Sequence, residues 1–361
     1  MTLLHKITPT GRKTPAKVVA TTTATGGHMI KIVLDCFGGD RSPQANIDGA
    51  VQALNELDDL TLVLTGDKAT IENLLADKFY DPSRVQIVHA PDVISCDDKP
   101  TEAIKTKTDS SMSRAFELLR SDPEIGGMVS LGSTGALLAG AVLRIGRIKG
   151  VKRPAFCPTL PTMNGGLVCI CDSGANVDCD PVHLTQFARM GSLYMQKAYG
   201  IENPRVALLN IGVESEKGDA LRKEVYQLLE NDDSINFVGN MESRNLLSGE
   251  FDLVVSDGFS GNVLLKSTEG SCMEMMKMLK KIMTSNFRAK MGALLLKKDV
   301  YALKNTMDYN NYGGAVLLGT NKTIVKAHGG SKSGAVYHSI LQAYNMEKNG
   351  LNAAISQTLT K

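Results

Sequence analysis

The sequence predicts an α/β protein built around a mainly parallel β-sheet. Three observations carry the prediction. Short, continuously apolar runs alternate along the chain with amphipathic stretches, the pattern of strands buried on both faces and joined by helices. Polar and glycine residues gather repeatedly just after the apolar runs. The length of 361 residues, 43% of them apolar, allows a sizeable core in one large domain or two small ones. Forty basic against 38 acidic residues, a net charge of +2, argue against a dedicated nucleic-acid binder. Seven cysteines, an odd number in a long chain, read as reduced cytosolic thiols and not as a disulfide framework.

Residues 1–28 stand apart. They are rich in Thr, Lys and Ala, show no hydrophobic period and end in Gly26-Gly27-His28. They read as a leader or cloning extension, with a transit peptide as the rival because acidic residues are absent. The ordered pattern starts with the β-branched run Ile30 to Leu34, followed by the loop Asp35 to Asp40. Pro43 suits the first turn of a helix, where no N–H is needed, and Ala50, Leu54 and Leu57 supply that helix's apolar stripe. Leu60 to Leu64, Val85 to Val88 and Met128 to Leu131 are the next strands. The apolar stretch Gly126 to Ile145 is broken by Gly132, Ser133, Thr134 and Gly135, so it reads as a buried strand, a glycine turn and a small-residue helix, not a membrane span. Leu167 to Cys171, Val206 to Leu209 and Phe251 to Val255 complete the strands. Residues 29–350 read as a single domain; a break near Gly150 to Pro161, where three prolines cluster, is the alternative.

Each of these strands runs into a polar loop. In an open parallel sheet such loops share one rim, where ligands bind, so segments far apart in sequence are expected to meet. Gly132-Ser133-Thr134-Gly135 and Gly258-Phe259-Ser260-Gly261-Asn262 have the form of glycine loops entering helices, which suits phosphate because free N–H groups and the helix dipole face the anion. Ordinary turns use the same residues. Neither loop is a Walker motif, and no strand is followed by G-x-G-x-x-G, so the usual dinucleotide fingerprint is missing. Lys217, after the Val206 strand, reads either as a cation for a phosphate or carbonyl oxygen or as a solvated loop lysine. His328, after Ile324-Val325, reads either as an anion contact or as a hydrogen-bonded structural histidine. Cys169, Cys171 and Cys179 lack metal-ligand spacing, and no cysteine has an evident neighbouring base, so neither a metal site nor a thiol nucleophile is expected.

Taken in order, the motifs resemble the bacterial acyl-acyl-carrier-protein:phosphate acyltransferases. Asp35-Cys36-Phe37-Gly38-Gly39-Asp40 with Pro43 is similar to their opening "DAMGGDxxP". Ser133-Thr134-Gly135-Ala136-Leu137, Gly146-Arg147-Ile148-Lys149-Gly150, Asp172-Ser173-Gly174-Ala175-Asn176, Glu216-Lys217-Gly218, Asp257-Gly258-Phe259-Ser260-Gly261-Asn262, Tyr312-Gly313-Gly314-Ala315 and Lys326-Ala327-His328-Gly329 follow in the family's order. The resemblance spans about Met29 to Asn349; Cys36-Phe37 and Ser173 are small departures. It implies a Rossmann-like three-layer α/β/α fold akin to isopropylmalate dehydrogenases and phosphotransacetylases, a homodimer, and no cofactor or metal. It implies transfer of a fatty acyl group from acyl carrier protein to inorganic phosphate, with the acyl phosphate passed to a membrane glycerol-3-phosphate acyltransferase in phospholipid synthesis. By motif position, Lys217 and Asn262 are the expected catalytic pair. Gly38, Gly39, Ser133, Thr134, Asn176 and His328 are expected at the phosphate or substrate site. The chemistry is compatible with this inventory. Phosphate is already an oxyanion, and a thiolate leaving group of pKa about 8.5 needs little protonation. Positioning and oxyanion stabilisation are what the protein must supply. Two other readings are phosphotransacetylase-like exchange between coenzyme A and phosphate, and a non-catalytic lipid or carrier-protein binding module.

One segment does not fit a solvated surface. Residues 271–307 carry eight basic residues against Glu274 and Asp299, with Asp308 just beyond. Met275, Met276, Leu279, Ile282 and Met283 recur at helical spacing, which suits a core helix with a basic face. Leu294, Leu295 and Leu296 flanked by Lys290, Lys297 and Lys298 suit a membrane surface or the acidic acyl carrier protein. A helical hairpin that makes the cytoplasmic protein peripherally membrane-associated is the expectation.

Overall fold

The computed structural model describes residues 29–301 and 312–360. The expected leader, residues 1–28, therefore lies outside the described residues, as does the end of the 271–307 segment. The strands form a mainly parallel α/β architecture divided into two sheets. The first runs in the order β3 (Val85–His89), β2 (Leu60–Gly66), β1 (Ile30–Asp35), β4 (Ile125–Ser130), β12 (Thr323–Lys326), β11 (Ala315–Leu318) and β5 (Ala155–Cys157). The second runs β6 (Thr159–Pro161), β7 (Leu167–Cys171), β10 (Leu253–Val255), β8 (Arg205–Asn210) and β9 (Asn236–Glu242). Among the described strands, only the pairings of β11 with β12 and β5, and of β6 with β7, are antiparallel.

The apolar runs behave as strands covered on both faces. In β1, Ile32 and Leu34 enter one layer of core and Val33 the other. The first layer packs on α1 (Gln44–Glu56) and α2 (Lys68–Leu75); the second packs on α3 (Pro100–Thr106), α4 (Ser111–Ser121) and α5 (Thr134–Gly140). Pro43 sits one residue before α1, at its boundary.

The chain crosses from one sheet to the other at Pro158, inside the proline-rich window at Gly150 to Pro161. A proline has no N–H for a ladder, which suits a point where the strand changes partners. The seam is stitched on both sides: Phe156 N–H donates to Asp172 Oδ1 (2.9 Å), and Ser173 N–H donates to Phe156 O (3.1 Å). One layer of core is nevertheless continuous across both sheets, joining Ile32 and Val129 to Cys169, Val206 and Leu253. The helices α6 (Pro181–Tyr199) and α10 (Ser333–Lys348) bind it together, and Gln342 Nε2 donates to the buried Tyr194 hydroxyl (2.5 Å). The last helix is α11 (Leu351–Leu359).

Candidate active site

At the rim of the first sheet, three loops interlock. Asp35 ends β1, and burial pushes its carboxyl above the usual carboxylate range. Ser130, at the end of β4, donates to Asp35 Oδ2 (2.7 Å), and Gly132 N–H donates back to Ser130 Oγ (3.1 Å). Gly38 must be glycine, because a Cβ there would lie 2.5 Å from the Gly132 nitrogen. Gly39 has φ +98°, and the next N–H, of Asp40, donates to Gly329 O (2.8 Å). The loops after β1, β4 and β12 thus form one floor.

The rim of the second sheet is organised by Asp172 at the end of β7. Its two oxygens accept N–H groups from Phe156, Ser173, Ala175 and Asn176, and from the Asn176 side chain. Burial outweighs these bonds and pushes the carboxyl up to about 6. Asn176 also donates to Pro154 O (2.8 Å), so its amide holds the loop together. On this platform rests α8 (Gly258–Met283): Gly258 N–H donates to Asn176 O (2.7 Å), and a Cβ at Gly261 would lie 2.0 Å from Asp172 O. Asp257 caps the helix by accepting from Ser260 N–H (2.8 Å), and Arg222 of α7 (Ala220–Glu230) donates to both Asp257 and Ser260. Asn262 is therefore delivered in the second turn of a helix pinned at its start.

The two rims face each other across a cavity of ≈ 160 Å³. Thr134, Ala327 and His328 come from the first sheet, Ser173 and Asn262 from the second, and Phe156 and Pro158 from the crossing segment. Two lysines line it as well. Lys266 lies one helical turn after Asn262 and donates to Glu269 (2.7 Å). Lys326 ends β12; its half-buried ammonium donates to the carbonyls of Ala327 and Leu131 (3.4 Å to the latter). Burial pulls its pKa down to about 8, with Lys266 adding to the effect and Cys96, Asp35 and Asp40 opposing it. On the opposite face of α8 lies a larger groove of ≈ 950 Å³, lined by Leu209, Ile211, Leu246, Leu247, Phe259 and Val263, with Arg222 at its polar end.

Of the residues singled out in the sequence, Thr134, Asn262 and His328 meet at the cavity. Gly38 and Gly39 form the floor behind it. The side chains of Ser133 and Asn176 are turned toward backbone: Ser133 Oγ caps α5 by accepting from Ala136 N–H (3.5 Å). His328 accepts at Nδ1 from Gly330 N–H (3.1 Å) and is exposed. Lys217 is exposed in the loop after β8; its carbonyl accepts from Asn210 Nδ2 (3.0 Å), and Gly218 beside it lines the larger groove. Asn262 lines the cavity, whereas Lys217 itself lines neither the cavity nor the groove, and among the described residues no hydrogen bond joins the two. Lys326 and Lys266 were not singled out. The available signal was a lysine closing the apolar run Thr323-Ile324-Val325, at a strand's C-terminal end.

The segment 271–301 projects from this frame. Beyond Leu265 no apolar residue of α8 is buried: Met275 is 69% and Ile282 62% exposed, while Met276, Leu279 and Met283 are half-buried, so this stretch is not a core helix. After Asn286 caps α9 (Phe287–Leu295), Leu294 is 64% and Leu295 83% exposed. A groove of ≈ 540 Å³ between the two helices is rimmed by Lys277, Lys280, Lys290 and Lys297; Lys298 is the next residue. Among the described residues no helix is long and apolar enough to cross a membrane.

Comparison with known proteins yields three kinds of match. The family described as "Fatty acid synthesis protein" matches residues 30–354. The phosphate acyltransferases of Bacillus subtilis and Clostridioides difficile are 43% and 41% identical over 328 and 332 residues, covering 91% and 92% of this chain and 97% of each relative. The phosphate acyltransferase of Streptococcus equi subsp. zooepidemicus is 44% identical over 334 residues, covering 92% of this chain and 98% of the relative. Among solved structures, a phosphotransacetylase from Streptococcus pyogenes superposes with TM-score 0.57 at 16% identity, covering 92% of this chain and 96% of that one. A branched-chain phosphotransacylase from Enterococcus faecalis V583 superposes with TM-score 0.52 at 14% identity, covering 88% and 100%. These superpositions bear on the fold.

Proposed function

This chain belongs to the phosphate acyltransferase family, and from that premise we propose that it moves a fatty acyl group from acyl carrier protein to inorganic phosphate, supplying acyl phosphate for phospholipid synthesis. In the reaction an oxygen of the hydrogen phosphate dianion attacks the thioester carbonyl carbon. The C–O bond forms, a tetrahedral oxyanion appears and collapses, and the C–S bond breaks. The proton carried by the phosphate ends on the departing thiol, so acyl phosphate and free carrier thiol leave.

The observation that carries the reading is the cavity between the two rims, which joins Asn262 to a cationic lining beside a groove of acyl-chain size. No side-chain nucleophile is required there. Asn262 is assigned to donate a hydrogen bond to the developing oxyanion or to orient phosphate, and Lys217 to neutralise charge from the groove side. The ≈ 160 Å³ cavity suits a phosphate and a few waters but not a long chain, whereas the ≈ 950 Å³ groove suits the chain. Acyl-phosphate formation by the purified protein tests the reading, with carrier and coenzyme A thioesters compared as donors. Coenzyme A preferred as donor favours the transacetylase-like alternative; no product from either favours a binding module.

The same reading makes the protein a cytoplasmic homodimer that touches the membrane, where a glycerol-3-phosphate acyltransferase receives the product. The support for membrane contact is the uncovered Leu294 and Leu295 among Lys290, Lys297 and Lys298. Acyl carrier protein is the competing occupant of that surface. Light scattering at graded protein concentration tests the dimer.

A further inference from the structure

We propose that the phosphate acceptor is held by Lys326, with Lys266 on the cavity's other wall, so that Lys217 serves the acyl-donor side. The proposal rests on the acyl-transfer reading and assigns that site's acceptor pocket.

Three observations lead to it. Lys326 lines the ≈ 160 Å³ cavity together with Asn262, Thr134 and His328. Its ammonium is aimed by two backbone carbonyls, those of Leu131 and Ala327, both from loops that build the floor. An ammonium has three donors, so one remains for a ligand. Finally, among the described residues no carboxylate lies within ion-pair distance of it, whereas the half-buried Arg205 and Arg222 each have such a partner. A half-buried cation without a counter-ion is costly unless an anion completes the site. The groups facing it are Asp35 and Asp40 from the first loop, Cys96 from the loop before α3, and Lys266 from α8. Asp35 is already occupied with Ser130 and the N–H of Phe37. Lys266 and Lys326 together give the cavity the charge a phosphate dianion needs, while Lys217 does not line it and its neighbour Gly218 lines the acyl-sized groove.

The depressed pKa makes this testable by pH. The free enzyme loses the Lys326 proton near pH 8. The value of kcat/KM for phosphate should therefore fall on an alkaline limb near that pH, because this parameter reports free-enzyme ionisations. Bound phosphate stabilises the ammonium, so kcat at saturating phosphate should hold to higher pH.

The experiment uses the full chain with Lys326→Ala, Lys326→Met and Lys326→Arg, each checked for its unfolding midpoint. Inorganic phosphate binding is measured by calorimetry, and initial rates are taken over phosphate and acyl-donor concentrations at several pH values. Loss of the ammonium should raise the phosphate Kd and KM roughly 10- to 100-fold. The acyl-donor KM should change by less than about twofold, in keeping with uniform loss of acceptor binding. Lys326→Arg should recover much of the affinity and move the alkaline limb out of the measured range. A folded Lys326→Met variant with unchanged phosphate KM and an unchanged alkaline limb overturns the proposal. A rise in donor KM alone also overturns it, and places the carrier's phosphodiester in the cavity. If no variant folds, wild-type phosphate affinity that stays constant between pH 7.5 and 9.5 overturns it. Failure of the underlying reading looks different: phosphate would still bind through Lys326 while no acyl phosphate formed from any donor.

Discussion

Asp172 shows how a single side chain sets the candidate site. Five N–H groups converge on its carboxylate, and through them the end of β7, the crossing segment and Asn176 are held under α8. Asp172→Ala strands several of these donors in the interior, so it should cost on the order of 3 kcal/mol or more. A denaturant midpoint shift worth less than about 1 kcal/mol would show that the nest is not a keystone. Lys217→Ala and Asn262→Ala should instead leave the midpoint nearly unchanged and lower turnover, by roughly 10²–10³-fold for a group that donates to the oxyanion. Normal turnover in a folded variant removes that residue from the mechanism. Lys326 has its own stability signature. Its pKa is near 8 in the folded chain and about 10.4 for an ordinary lysine, so between those values the unfolded chain binds more protons. The contribution is thus present at high pH and lost as pH falls through 8. Wild type should therefore gain stability from pH 8 to 10 relative to Lys326→Met; parallel curves would contradict the assigned burial.

At the scale of elements, α8 does two jobs along one helix. Its first turns are glycine-rich because backbone approaches backbone there. Gly261→Ala would press a methyl group against Asp172 O and Ser256 Oγ, so the helix must lift, costing about 1–3 kcal/mol or more and displacing Asn262. Activity that survives this change intact would mean that α8 need not dock closely. Its outer turns, with α9, offer apolar and basic residues that nothing in the fold covers. The protein should float with anionic vesicles, and less so as salt rises, since each basic residue near the surface contributes about 1 kcal/mol and is screened. Leu294→Glu/Leu295→Glu should abolish flotation; a variant that floats as well as wild type would clear this segment of an anchoring role. The apolar group at 291–296 was legible in sequence because its signal is local. By contrast, β5 and β6 have three residues each, too few for any period, and β9 mixes polar and apolar residues at a sheet edge.

At the scale of the whole molecule, the alternation of apolar runs and helices announced the layered α/β architecture, and glycine clusters marked the rim loops. The prolines at Gly150 to Pro161 marked where the chain crosses between sheets, but which strands share a sheet was not legible, because periodicity identifies a strand without naming its neighbour. That division decides the site. Lys217 and Asn262 both follow strands of the second sheet, β8 and β10, whereas Lys326 closes β12 of the first and meets Asn262 because the two rims face each other. A lysine closing an apolar strand looks like any solvated strand end until the opposing wall is known. Acyl transfer to phosphate across this cleft is the proposal on which the site assignments depend. The most direct test supplies the purified protein with phosphate and, in turn, a long-chain acyl carrier protein, the matching acyl coenzyme A and acetyl coenzyme A, and traps acyl phosphate with hydroxylamine. Long-chain acyl phosphate is expected, with the carrier thioester as the preferred donor. Absence of acyl phosphate from every donor, or a preference for acetyl coenzyme A, would contradict it.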